Sequence, residues 1–231
     1  MEIYRDWDLQ LTVDQVLRAQ GADPATVRAR RPRLVEIAAW ALAEGVPLLA
    51  PVVAQATYRV RELRHETLRL AGGARLQGRL IGQHLGAAEA VTGIVATIGP
   101  GLEELVGQVL AEDPSLGFAL DGVASAAVET LANLAVARIA AAAQQRDWEV
   151  SLALSPGMIG WPVAEGQAQL FALVDAAAVG VTRSDGGMMH PLKSVSQVVG
   201  LGERVGVLGR TCDYCAARDH CRYQDHYSRT V

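Results

Sequence analysis

Three cysteines fall within the last twenty residues of this 231-residue chain, in the run TCDYCAARDHCRYQDHY. Cys212, Cys215 and Cys221 are spaced C-x2-C-x5-C, with His220 beside the third and His226 five residues further on. A C-x2-C pair lets two thiolates grip one metal from a tight turn, and zinc then takes two more nitrogen or sulfur ligands at tetrahedral positions. Cys212, Cys215, Cys221 and either histidine would complete that set. The same three thiolates could instead hold an iron–sulfur cluster with a fourth ligand from elsewhere. The plain alternative is three free thiols on a tail. An odd, clustered count favours metal or redox chemistry over a disulfide framework.

A second set lies in the middle of the chain. Asp121, Ser125 and Glu129 stand at i, i+4 and i+8, so they share one face if the segment is a helix. Their neighbours are small or apolar, and a carboxylate there needs a cation or a hydrogen-bond donor. Either Asp121 edges the helix and Glu129 meets solvent or an arginine, or Glu129 receives a cationic or amino-bearing ligand. A third set is MMHPLKSVS (188–196), with His190, Lys193, Ser194 and Ser196. No acid at a suggestive spacing makes it a triad. Lys193 reads as a surface charge or an anion contact. TIGPGLEEL (97–105) puts glycines before a helix, where backbone N–H groups can meet an anion, but it lacks a phosphate-loop fingerprint.

The elements that must position these residues are legible from capping and periodicity. Thr12 with Gln15 forms a capping box, so a helix spans 12–20. Asp23-Pro24 opens a second helix that runs to Ala43 with a break near Pro32. Residues 56–63 and 66–70 alternate as half-buried strands do, and Gly72-Gly73 turns the chain. Helices are predicted at 80–86, 102–110, 115–146 and 164–175, and strands at 90–99, 149–154, 179–184 and 194–201. The mixture is not a strict βαβ repeat. It predicts an α+β fold, a mainly antiparallel twisted sheet packed with helices including one long central helix.

Composition narrows the function. Half the residues are apolar and the net charge is −4. That balance argues against a nucleic-acid surface, which needs a basic stripe. Arg28, Arg30, Arg31 and Arg33 form a local cluster and read as the solvated face of a helix. The start MEIYRDWD is charged where a secretory leader would be apolar. The apolar stretch 117–143 is interrupted by Asp121, Glu129 and Arg138, so no membrane span is expected and the cytoplasm is the expected compartment.

Several segments, in order, carry a resemblance: LAGGARLQGRLIGQHLG (70–86), VATIGPGLEELV (95–106), LDGVASAAVETLANLAV (120–136), SPGMIGWP (155–162) and VGVTRSDGGMMHPLKSVSQVVG (179–200). Together the chain resembles the activation (reactivation) domain of cobalamin-dependent methionine synthase, and more closely its stand-alone forms with a cysteine-containing tail. The resemblance divides the chain into an activation-like domain, 1–205, and a Cys/His tail, 206–231. It implies a domain that binds S-adenosylmethionine and docks a corrinoid-carrying protein. There, reduction of the corrinoid cobalt coupled to methyl transfer from S-adenosylmethionine restores an oxidised, inactive centre.

The family's ligand signature is Arg-x-x-x-Gly-Tyr. Here Gly157 keeps the glycine, preceded by Pro156, while Ala153 and Met158 replace the arginine and the tyrosine. Alanine cannot supply the planar, multi-donor grip of a guanidinium on a carboxylate. By the resemblance, Glu129 takes the place of the carboxylate that meets the ligand's amino group, and Met189, Pro191, Ser194, Val195 and Ser196 preserve a Met-x-Pro-x-x-Ser-Val-Ser element.

Three roles follow. The chain is an accessory protein that supports reductive reactivation of a corrinoid-binding protein, or of a methionine synthase lacking its own activation domain, together with a reductase. Or it is a degenerate module that docks such a protein, or another small ligand, without methyl transfer. Or it is a metal-centre protein using the cysteine tail. Neither nucleic acid nor membrane is an expected partner.

Overall fold

The first helices begin where their capping residues stand. Thr12 Oγ1 accepts from the Gln15 N–H at 3.3 Å, and Gln15 Oε1 accepts from the Thr12 N–H at 2.8 Å, opening α1 (Val13–Ala19). Asp23 accepts from the Thr26 N–H at 2.7 Å and Pro24 takes the first position of α2 (Pro24–Arg30). Pro32 then holds Arg31 out of helical geometry (φ −145°, ψ 59°), so α3 (Pro32–Gly45) starts as a separate element. This is the predicted break. The computed structural model describes residues 1–221.

The sheet is antiparallel throughout. Its strands are β1 (Glu2–Tyr4), β2 (Val52–Arg64), β3 (Thr67–Leu70), β4 (Arg75–Gln77), β5 (Ala90–Thr97), β6 (Glu149–Val150) and β9 (Ser194–Gly202). The order is β4-β3-β2-β5-β9-β6, with β1 paired to the first half of β2. A separate small hairpin joins β7 (Thr182–Arg183) to β8 (Met189–His190). The α+β expectation therefore holds, long central helix included.

Two apolar cores lie on opposite faces of this sheet. One sits under α1, α2, α3, α5 (Gly101–Glu112) and α6 (Pro114–Gln144). The other lies under α4 (Arg79–Leu85) and α7 (Val163–Leu173), with β3 and β4 at its side. Asp113 caps α6 by accepting from the N–H groups of Ser115 and Leu116. The small residues of α6 let neighbours approach closely: a Cβ on Gly117 would sit 2.7 Å from the Leu110 backbone nitrogen. By length and composition α6 could cross a membrane. Here α1, α3, α5 and the sheet pack against it, as around a core helix.

Two predicted strands come out shorter. Of 149–154, only Glu149 and Val150 pair regularly with β9. Ser151 then takes over part of the ladder: its Oγ accepts from the Gly200 N–H at 2.8 Å, and its own N–H donates to Gly200 O at 2.9 Å. The chain rejoins β9 at Leu154, which bonds Val198 in both directions. Three steps on one strand thus oppose two on the other, a β-bulge at Leu152 and Ala153. Of 179–184, only Thr182 and Arg183 are strand; the segment starts in a 3₁₀ turn (Ala176–Val179) closed by left-handed Gly180. The edge strands β1 and β4 have no sequence signal beyond three residues each.

Candidate functional site

Lys193 enters β9 from the loop after β8 and reaches α6. Its Nζ donates to Ser125 Oγ at 2.8 Å and pairs with Asp121 Oδ1 at 2.8 Å. The loop is also held by Leu192, whose N–H donates to Glu103 Oε2 at 2.7 Å. Asp121 and Ser125 are thus occupied by a lysine of the chain itself.

Glu129 stands one turn beyond Ser125 on that face. Burial holds its carboxyl above the usual carboxylate range, and a hydrogen bond from Asn133 offsets part of the effect. Gln197 follows Lys193 by four strand residues, about 13 Å, while Glu129 follows Asp121 by eight helix residues, about 12 Å. The Lys193–Asp121 contact sets the two elements in register, so Glu129 and Gln197 lie at one level. Alternation puts Gln197 on the side of Val195 and Val199, which belong to the core under α6. Its Oε1 is buried with no hydrogen-bond partner among the described residues. Ala153, at the bulge beside Val198, packs on the same side.

Two acceptors, one a carboxyl and one an orphaned amide oxygen, therefore share a level between α6 and β9. An ammonium or amino group reaching both would satisfy them. Gln197 is absent from the sequence-derived candidates, although a lone long polar residue inside SVSQVVGL was the available signal.

The other sequence-derived residues lie across the sheet. Met158 is buried in the core under α4 and α7, and its sulfur accepts from the Ser155 N–H at 3.2 Å. Ser196 Oγ donates to Gln167 Oε1 of α7 at 2.9 Å. Ser194 Oγ bonds Thr97 Oγ1 at 2.9 Å and Pro191 O at 2.7 Å. Met189 packs against the same core. Pro156 and Gly157 shape the loop between: Gly157 has φ +100°, and its N–H donates to Trp161 O at 2.8 Å. The structure brings Glu129 and Ala153 to one face and leaves Met158, Met189, Ser194 and Ser196 on the other.

The fold is that of the MetH reactivation domain. A crystal structure of that domain bound to AdoHcy aligns over 96% of this chain and 84% of its own, with a TM-score of 0.68 at 13% sequence identity. No family model matches the chain, and no curated protein sequence matches it. At this identity the likeness concerns the backbone, and the side chains of the site stand on their own geometry.

No three His, Cys, Asp or Glu side chains come together to hold an ion among the described residues. Cys212 lies within a 3₁₀ turn (Thr211–Tyr214) and Cys215 follows it; the turn delivers the Tyr214 ring edge-on to His84, centroids 4.6 Å apart. His220 is exposed, and His226 lies outside the described residues. Tyr214 O also accepts from the Ile159 N–H at 2.8 Å, so the tail is fastened to the loop at 155–162. Among the described residues the zinc and iron–sulfur readings thus find no support.

Glu129 makes the site pH-sensitive. Its raised pKa means that the fold disfavours the charged form. The associated stability is full below the ordinary carboxylate pKa and is lost as pH rises through the elevated value. A bound ammonium pairs with the charged form, so ligand uptake is expected to release a proton, and affinity to rise with pH across that interval. Glu129→Gln is expected to abolish both dependences. Calorimetry in two buffers of different ionisation enthalpy counts the proton; equal release by Glu129→Gln would contradict the assignment.

Proposed function

We propose that the chain is a cytoplasmic accessory protein of cobalamin-dependent methyl transfer. It holds S-adenosylmethionine by its amino group between Glu129 and Gln197 and presents the sulfonium methyl to a corrinoid carried by a partner. The observation that carries this reading is the pair of acceptors at one level, Glu129 with its raised pKa and the unpartnered Gln197 Oε1, in a fold shared with a domain crystallised with AdoHcy. The partner is a corrinoid-binding protein, or a methionine synthase lacking its own activation domain, served by a reductase. The chain contributes position rather than acid–base chemistry: aligning a methyl donor with its acceptor replaces translational and rotational entropy that a free encounter would lose.

Ala153 weakens the grip. Loss of a charge-assisted contact to the ligand carboxylate removes roughly 1.5–3 kcal/mol, one to two decades of affinity. Titration calorimetry is therefore expected to show weak binding of S-adenosylmethionine, and absence of heat at millimolar ligand would overturn the reading. The same residue favours one alternative, a module that docks the corrinoid protein without methyl transfer. Methylation of a reduced corrinoid protein by S-adenosylmethionine, with and without this chain, separates the two.

A further inference from the structure

A cavity of about 460 Å³ opens between the sheet and the C-terminal end of α6. That volume lies within the range of small-molecule sites. It is separate from the site at Glu129: Arg138, on its wall, lies nine residues further along α6, about 14 Å on the helix axis. None of Glu129, Ala153 or Gln197 lines it.

Its floor breaks the pattern of the sheet. Side chains of β2 and β5 on this face ought to continue the core marked by Val53 and Ile94. Instead the face carries Gln55, Thr57 and Arg59 on β2 and Thr92 on β5. Thr57 and Thr92 are directly opposed in the ladder, and their hydroxyls lie 2.8 Å apart. One hydroxyl hydrogen fills that bond, and the other is left for a ligand.

Its walls are cationic and aromatic. Arg59, Arg138 and Arg146 line the cavity against one carboxylate, Glu2, in a chain of net charge −4. Glu2 already accepts from Gln55 Nε2 at 2.9 Å. Arg138 stacks on the Tyr4 ring at 3.8 Å and meets Asp6 at 3.5 Å; Arg146 lies 5.9 Å from the Trp148 ring. Arg59 makes no ion pair among the described residues. The negative end of the α6 dipole points this way, but its last carbonyls are occupied. Ala143 O accepts from the N–H groups of Arg146 and Trp148, and Gln144 O from that of Asp147. With Glu2 and Asp6 set against the three arginines, one full positive charge remains, and it outweighs a capped half-charge.

We propose that this cavity binds a planar ring compound bearing an oxyanion, a carboxylate or a phosphate. Arg59 and Arg146 grip the anion, Thr57 and Thr92 meet a polar edge, and Tyr4 and Trp148 flank the ring. Guanidinium forks match both oxyanions, so two probe pairs distinguish the source: AMP against adenosine, and nicotinate against nicotinamide. Calorimetry on the full chain is expected to show one anion binding at least tenfold more tightly than its neutral partner. The preferred anion identifies the ligand as phosphate or carboxylate. Arg59→Ala, on an exposed strand position, and Arg146→Ala, at a helix end, are each expected to lose tenfold or more. Glu129→Gln is expected to leave the affinity unchanged, which keeps this site distinguishable from the one proposed for S-adenosylmethionine. The proposal is overturned if neither anion binds at millimolar concentration, if neutral probes bind equally well, or if both arginine variants bind like the parent.

Discussion

Replacing Trp161 with alanine is expected to destabilise the protein by about 3–5 kcal/mol, the range for deleting a large buried aromatic. Trp161 is completely buried in the core under α4 and α7 and anchors the loop at 155–162. Its carbonyl accepts from Gly157, its N–H donates to Met158 O at 2.9 Å, and its indole Nε1 donates to Gln169 Oε1 at 3.3 Å. The surroundings are built for the ring. A Cβ on Gly166 would lie 3.0 Å from the indole, and one on Gly78 equally close, so neighbouring backbone stands too near to collapse far into the void. Gln169 keeps its bonds to the Gln77 backbone at 2.8 and 3.3 Å, so the loss is mainly one of volume. Trp161→Phe, which retains most of that volume, is expected to lose less. Urea unfolding measures both, and an alanine variant as stable as the parent would show that the loop is not anchored there.

The second large effect separates binding from folding. Glu129→Ala is expected to weaken an amino-bearing ligand by ten- to a hundredfold, as for loss of a charge-assisted hydrogen bond. Gln197→Leu is expected to weaken it too, while making the empty protein more stable. An unsatisfied buried acceptor carries a penalty of about 1–3 kcal/mol that leucine does not. Opposite signs in melting temperature and affinity mark a group kept for a ligand at the expense of the fold. If Gln197→Leu lowered both together, the oxygen would be a structural partner and the binding assignment would be wrong.

Local chemistry makes most of the elements legible in the sequence. Thr12 with Gln15, Asp23 with Pro24 and Arg31 before Pro32 each act over a few residues, so the elements they start or stop follow from neighbouring residues alone. The long helix is legible because nothing interrupts it from Pro114 to Gln144. The order and spacing of five segments carry the fold, although only 13% of residues agree with the aligned MetH domain. The site is less legible, because strand alternation divides one motif between two faces. Ser194 and Ser196 turn to Thr97 and Gln167, while Gln197 turns toward α6. The bulge at Leu152 and Ala153 depends on a Ser151 hydroxyl bonding a residue 49 positions away, which no local pattern encodes. The cysteine spacing suggests a metal because C-x2-C is a local signal, whereas the packing of Tyr214 on His84 is a tertiary one.

The bond from Ile159 to Tyr214 has a consequence for solvent exchange. The Ile159 side chain is exposed, and its amide hydrogen has the Tyr214 carbonyl as its partner. Exchange of that hydrogen with deuterium is slowed only while the C-terminal segment lies across the loop. The amide is therefore a built-in clock for docking of the tail, read at a single residue beside Met158 and Gly157.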